Sequence, residues 1–184
     1  MVLLRLRVAV VGEPTSGKTA FVQMIHSNGA MFPKNYLMTM GCDFVVKEFA
    51  LDEENTVEVT LLDVGGQKLY DRMTSHYLEN ATAFILVYDV SNKTTFESCR
   101  KWVTKARAAK KDMPGFLVAN KMDLVDKAEV TDNQAEVFAR ANQLTLFKCS
   151  ALRGTGISEP VEELARNFLQ SYQKRVAELT PKES

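Results

Sequence analysis

One run near the start of the chain has the residue types and spacing of a phosphate-binding loop. Residues 12–19 satisfy G-x-x-x-x-G-K-[S/T] and follow an apolar, strand-like run at residues 6–11. In this motif, backbone N–H groups surround the α- and β-phosphates, and the dipole of the following helix favours negative charge there. The apolar run argues against the alternative, a chance glycine turn. The predicted nucleotide-binding residues of this segment are Gly12, Glu13, Pro14, Thr15, Ser16, Gly17, Lys18, Thr19 and Ala20.

Two side chains of this loop have predicted chemical roles. The Lys18 amine is expected to reach the β- and γ-phosphates, and the Thr19 hydroxyl is expected to bind Mg²⁺. A phosphate-binding loop does not select the base, because ATPases and kinases also use it. The base must be read elsewhere in the chain.

The run Asn-Lys-Met-Asp at residues 120–123 indicates guanine. It follows an apolar run, where an open α/β sheet binds ligands. The Asp123 carboxylate accepts hydrogen bonds from the N1–H and amino groups of guanine, whereas adenine would leave this charge unpaired. Lys121 is predicted to lay its aliphatic stem over the base, and Asn120 to tie neighbouring loops together. We therefore predict GTP and GDP as the ligands.

A Cys-Ser-Ala run at residues 149–151 closes the last predicted strand. Beside the Asn-Lys-Met-Asp run, Ser150 and Ala151 are predicted to bind the nucleotide, with the Ala151 N–H meeting guanine O6. A plain exit from the strand into a loop is the alternative.

The third predicted strand ends in a run that fits the γ-phosphate end of a nucleotide site, residues 63–67. An acidic residue here holds the Mg²⁺ hydration shell, a role we predict for Asp63. The Gly66 N–H is predicted to approach the γ-phosphate and Gln67 to orient the attacking water. A Gly-Gly turn is the alternative, but it does not account for the Asp and the Gln.

The loop at residues 32–41 must lie near the nucleotide if the phosphate-binding loop does. Thr39 is a candidate second hydroxyl ligand for Mg²⁺, with its N–H available to the γ-phosphate, and Phe32 a candidate edge-on cover for guanine. The loop is rich in methionine, which suits an adaptable partner surface. Met31 is expected to pack beneath it. The predicted catalytic groups are thus Gln67, Lys18 and Thr39.

Composition favours one globular domain over residues 1–184. Lys plus Arg and Asp plus Glu both number 23, so nothing indicates a nucleic-acid footprint. The 3 cysteines lack metal-ligand spacing, which fits a reducing, cytoplasmic setting.

Strand-like and helix-like runs alternate along the chain, which predicts a doubly covered, mostly parallel α/β sheet. A five-residue gap, residues 52–56, is too short for a crossover, so the strands flanking it should form an antiparallel edge hairpin. The predicted strands are residues 6–11, 44–51, 57–63, 83–89, 115–120 and 145–149. The about five helices, on both faces, are predicted at residues 18–27, 68–78, 94–110, 132–142 and 160–178.

Together these residues resemble the small Ras-type GTPases over essentially the whole chain. Similarity to the Rab branch is found at Phe32, at Tyr36 and in residues 39–44 and 86–90. Residues 27–30, 45–47 and 96–102 are most similar to the Rab-like GTPases of the intraflagellar transport B complex. The resemblance implies a P-loop NTPase G domain over about residues 5–172, followed by a helical extension and tail at residues 173–184. It also implies that Tyr36 and Leu152 contact the nucleotide.

The resemblance further implies a GDP/GTP switch at a cilium or flagellum, with slow hydrolysis because no cis arginine is apparent. The implied partner is a small β-sandwich subunit, intraflagellar transport protein 25. A nucleotide-bound scaffold with negligible turnover and a soluble switch unrelated to cilia are the alternatives.

Several positions depart from the family pattern. Pro14 removes a backbone donor and adds bulk where an activating arginine enters. Val64-Gly65 resembles the Arf branch, and Leu152 replaces a lysine, which is expected to loosen guanine binding slightly. The chain ends without the prenylated cysteines of Rabs, so we expect no direct lipid anchor.

Overall fold

A single mixed sheet organises the molecule, whose computed structural model describes residues 2–35 and 38–179. Within these ranges six strands pair in the order β2-β3-β1-β4-β5-β6. Every neighbouring pair is parallel except β2 and β3, which are antiparallel. The predicted fold class is confirmed. The strands are β1 (Val2–Val11), β2 (Cys42–Ala50), β3 (Asn55–Val64), β4 (Ala83–Asp89), β5 (Gly115–Asn120) and β6 (Thr145–Lys148).

Helices connect the parallel strands and cover both faces of the sheet. Over residues 2–35 and 38–179, two 3₁₀ segments accompany them, at Lys68–Tyr70 and Met122–Lys127. None of the helices in the described part of the chain is long and apolar enough to cross a membrane. The α-helices are α1 (Lys18–His26), α2 (Asp71–Asn80), α3 (Lys93–Glu97), α4 (Cys99–Ala109), α5 (Asp132–Ala141) and α6 (Glu159–Leu179).

The long helix predicted at residues 94–110 is two helices, which meet at Ser98. The Lys101 N–H donates to the Ser98 carbonyl three residues back, at 3.1 Å, so the chain makes one tighter turn there. Asn92 caps the N-terminus of α3, because its side chain accepts the Thr94 N–H. Buried side chains recur at helical spacing across the junction, at Thr95, Cys99, Trp102 and Ala106, so the sequence pattern does not show the division.

Two apolar layers form the core, one on each face of the sheet. In β1, Val8 and Val10 belong to the layer under α1 and α6, whereas Ala9 and Val11 belong to the layer under α2 and α4. All of β4 is buried because both of its faces are covered. Since β1, β3, β4 and β5 run parallel, their carboxyl ends meet at one edge, where the predicted site residues follow them.

Candidate nucleotide-binding site

A cavity of about 950 Å³ lies at this edge of the sheet. Its lining comes from the loop after β1, the loop before β2, the end of β3 and the ends of β5 and β6. The structure therefore brings most of the sequence-predicted residues together, from five separate segments. Those that line the cavity are Pro14, Thr15, Gly17, Lys18, Thr19, Ala20, Phe32, Thr39, Gly66, Gln67, Asn120, Lys121, Asp123, Ala151 and Leu152.

The remaining predicted site residues do not line the cavity. Four of them are buried behind the lining residues: Gly12, Ser16, Asp63 and Ser150. Glu13 is half-buried. Tyr36 lies outside the described residues. For these residues, as for those that line the cavity, a role in nucleotide binding stays a prediction.

The shape of the phosphate-binding loop requires two of its glycines. Gly12 has φ +145°, and a Cβ there would lie 2.2 Å from the Val87 carbonyl oxygen of β4. Gly17 has φ +91°, and a Cβ there would lie 2.4 Å from Asn120 Nδ2. Both the backbone conformation and the close neighbours therefore exclude a side chain at these positions. The loop lies directly against β4 and the end of β5.

Lys18 is held at the centre of the loop. Its ammonium donates to the Gly12 carbonyl at 2.9 Å and to the Glu13 carbonyl at 3.0 Å. A lysine ammonium has three donors, so one remains for a phosphate oxygen. Burial lowers the pKa of Lys18 to about 8, while Asp63 and Glu13 oppose the shift. An anionic ligand would restore the charged form.

Three oxygen-bearing side chains converge beside Lys18. The Thr19 hydroxyl donates to Asp63 Oδ2 at 2.6 Å, and the Thr39 hydroxyl lies 3.2 Å from the same oxygen. The two hydroxyl oxygens are 3.0 Å apart. Among the described residues, the buried Asp63 Oδ1 has no hydrogen-bond partner. Burial raises the pKa of Asp63, against the effects of Thr19 and Lys18.

These groups fit a magnesium ion. Mg²⁺ prefers hydroxyl, carboxylate and phosphate oxygens and retains several waters. The hydroxyls of Thr19 and Thr39 have the right chemistry as ligands, and the orphaned oxygen of Asp63 suits a cation or its hydration shell.

Asn120 organises the other end of the cavity. Its amide nitrogen donates to the Ser16 carbonyl at 3.0 Å, and its amide oxygen accepts the Ala151 N–H at 3.2 Å. The Ser150 hydroxyl donates to Asp123 Oδ1 and so holds this carboxylate at the cavity wall. The predicted guanine-reading groups therefore lie in one network, but the Ala151 N–H, which was expected to meet guanine O6, donates to Asn120 here.

Lys121 makes a contact that the sequence analysis did not anticipate. It adopts φ +64°, and its ammonium lies 2.6 Å from Asp89 Oδ2 at the end of β4. Asp89 is itself fixed by the Ser91 N–H, which donates to Oδ1 at 2.9 Å. Only the position of Asp89 at the end of a parallel strand hints at this role in the sequence. The ion pair sets where the lysine stem crosses the cavity.

One sequence expectation about the loop before β2 is wrong. Met31 does not pack beneath this loop, because its side chain is 70% exposed. The Met31 N–H instead caps the loop locally by donating to the Ser27 hydroxyl at 3.0 Å. The apolar side chain is therefore left in solvent.

Comparison with known proteins agrees with this geometry. The Ras family model matches residues 7–170. The chain belongs to the Ras family. Among curated relatives, an intraflagellar transport protein 27 homolog from Trypanosoma brucei brucei is 59% identical over 180 residues, covering 98% of both chains. The Mus musculus homolog is 38% identical over 179 residues, covering 96% of both. Intraflagellar transport protein 27 from Chlamydomonas reinhardtii is 38% identical over 181 residues, covering 95% of this chain and 89% of its own.

Rab proteins match this Ras-family chain at lower identity. The resemblance to Rab-like GTPases of intraflagellar transport is therefore confirmed. Membership of the Ras family also accounts for the cavity, since small GTPases of this family bind guanine nucleotides, typically with Mg²⁺.

Proposed function

We propose that this Ras-family protein binds GTP, hydrolyses it slowly and acts as a subunit of the intraflagellar transport B complex. The observation that carries the enzymatic part is the packing of Gly66 on the phosphate-binding loop. A Cβ at Gly66 would lie 2.5 Å from the Gly12 carbonyl oxygen and 2.7 Å from the Pro14 nitrogen. The segment after β3 therefore touches the loop that would hold the phosphates, and Gln67 follows at the cavity wall.

Hydrolysis would depend on positioning and on charge stabilisation. Lys18 would stabilise the charge on the β- and γ-phosphates, and Gln67 would orient a water in line with the bond that breaks. Thr19, Thr39 and Asp63 would hold Mg²⁺, which neutralises phosphate charge when it is bound. Because no arginine is among the described residues that line the cavity, we expect a hydrolysis rate of about 10⁻⁴–10⁻² s⁻¹.

The proposed assembly role rests on the named relatives and on the end of α6. Tyr172, Val176 and Leu179 are 39%, 43% and 83% exposed and lie at helical spacing after Phe168. In the sequence this apolar stripe comes after all of the residues that line the cavity. It continues beyond the part of α6 that packs on the core. We propose that intraflagellar transport protein 25, a small β-sandwich subunit, docks on it, at a cilium or flagellum.

The test is single-turnover GTP hydrolysis by the purified protein and by Gln67→Leu, with the released nucleotide identified. Slow turnover that the substitution abolishes supports the proposal. Bound guanine nucleotide with no turnover would favour a nucleotide-bound scaffold, for which the bulk of Pro14 in the phosphate-binding loop is the supporting observation. A protein that turns over GTP but forms no complex with intraflagellar transport subunits would be a soluble switch unrelated to cilia. Equal binding of ATP would overturn the proposal.

A further inference from the structure

The carboxylate of Glu13, in the phosphate-binding loop, is bound by side chains of a helix that is distant in the sequence. Glu13 Oε1 accepts the indole N–H of Trp102, from α4, at 3.1 Å. The Lys101 ammonium lies 3.3 Å from the same oxygen. Neither the Glu13 side chain nor Trp102 lines the cavity. The carboxylate is therefore used to tie the loop to α4 and not to contact a ligand.

The backbone of Glu13 makes the complementary contact. Its carbonyl accepts one of the three hydrogens of the Lys18 ammonium, at 3.0 Å. A second goes to the Gly12 carbonyl, at 2.9 Å. Because the two carbonyls use two donors, they fix the direction of the third, which is left for a phosphate oxygen. The position of the Glu13 peptide therefore decides where Lys18 points.

Trp102 is a rigid anchor for this arrangement. Its side chain is 1% exposed and lies in the apolar layer that contains Val11, the last residue of β1. Its single polar atom, the indole nitrogen, would be an unpaired buried donor without Glu13. Lys101 and Lys105 lie over the indole ring, 5.2 and 4.9 Å from the ring centroid. The ring is thus held by packing and by two cations.

We propose that Trp102 is a positioning residue for the nucleotide phosphates. Its indole N–H holds the Glu13 carboxylate, and the Glu13 carbonyl in turn directs the Lys18 ammonium toward the β- and γ-phosphates. This inference rests on the proposed binding of guanine nucleotides. It assigns to α4, which does not line the cavity, an effect on phosphate binding that passes through Glu13 and Lys18.

The test is a double-mutant cycle on the dissociation rates of GTP and GDP. Trp102→Phe keeps most of the ring but removes the donor, and Glu13→Ala removes the acceptor without disturbing the core. Each single substitution is expected to speed dissociation by about tenfold, the effect of losing one charge-assisted hydrogen bond. The double substitution should be no faster than Glu13→Ala alone, because both substitutions break the same hydrogen bond.

Two further variants separate positioning from general stability. Glu13→Gln retains an oxygen that accepts the indole N–H, so it should restore much of what Glu13→Ala loses. Lys93→Met removes a 57% exposed lysine whose ammonium pairs with Glu97 in α3, and it should leave dissociation within about twofold of the wild type. Additive effects of Trp102→Phe and Glu13→Ala, or no rescue by Glu13→Gln, would overturn the inference. A wild type that binds no guanine nucleotide would instead overturn the proposed function.

Discussion

Asn120 joins two segments 104 positions apart by donating its amide N–H to the Ser16 carbonyl at 3.0 Å. The same side chain accepts the Ala151 N–H and lies 3.4 Å from the Cys149 thiol. One buried amide thus connects the phosphate-binding loop, the end of β5 and the segment after β6. Through Asn120, the phosphate-binding loop is hydrogen-bonded to the segments at the base end of the cavity.

Replacing Asn120 by Ala should release both ends of the cavity. It leaves the Ser16 carbonyl and the Ala151 N–H without this partner, which costs about 1–3 kcal/mol in the free energy of unfolding. We expect GDP to dissociate at least about tenfold faster. Stopped-flow release of a fluorescent GDP measures the rate and thermal unfolding measures the stability. Asn80→Ala is the control, since the Asn80 side chain is exposed and bonds within its own helix, to the His76 carbonyl. Similar losses in both variants would contradict a specific role.

The affinity for GTP should fall as the pH rises above about 8. Burial lowers the pKa of Lys18 to about 8 from its ordinary value of 10.5, so nucleotide-free protein loses this charge early. Bound phosphate favours the ammonium, and binding should therefore take up a proton in this range. Calorimetric titration in buffers of different ionisation enthalpy measures that proton.

The control for this titration is Lys47→Met. Burial also lowers the pKa of Lys47, but its ammonium bonds to the Ile25 carbonyl at 2.6 Å, and Lys47 does not line the cavity. The variant should show the same proton uptake as the wild type. In the nucleotide-free protein the Lys18 shift has a second consequence. The unfolded chain binds its proton more tightly than the folded one, so the contribution of Lys18 to stability rises with pH between about 8 and 10.5.

Gly66→Ala should impair GTP more than GDP. The new Cβ would meet the Gly12 carbonyl oxygen at 2.5 Å and push the segment after β3 away from the phosphate-binding loop. We expect GTP affinity to fall by about tenfold and turnover to be lost, because strain of about 1–3 kcal/mol separates Gln67 from its position. Competition titrations with GTP and GDP, together with single-turnover hydrolysis, check this. If the affinities for GTP and GDP fell equally, the strain would not lie in the contact between the segment after β3 and the phosphate-binding loop.

Charges on the apolar stripe of α6 should abolish partner docking without affecting the nucleotide. Tyr172→Glu combined with Val176→Glu is expected to weaken binding of intraflagellar transport protein 25 by about 30-fold or more. Titration calorimetry of the pair measures this affinity, and GDP release is the parallel readout. Gln170→Glu combined with Gln173→Glu adds the same two charges to the same helix off the stripe. If Tyr172→Glu combined with Val176→Glu left the affinity for intraflagellar transport protein 25 unchanged, the stripe would not be the docking surface.

The sequence alone was sufficient for the fold class and for the segments that form the cavity. Apolar runs and short motifs have local causes: strand period, glycine conformations and the spacing of phosphate-binding groups act within about ten residues. Lys18, Thr19, Asn120 and Asp123 could therefore be predicted as nucleotide-binding residues, each from the pattern of its own segment. Their roles toward a bound nucleotide stay predictions.

Only the tertiary structure decided how these segments are held relative to one another. The Glu13–Trp102 hydrogen bond spans 89 positions, and the Lys121–Asp89 ion pair joins the ends of two strands. Neither belongs to a motif, because each depends on the strand order and on where α4 packs on the sheet. The exposure of Met31 was also decided at this level. Local patterns specify which elements form, whereas contacts between distant elements exist only once packing has fixed their separation.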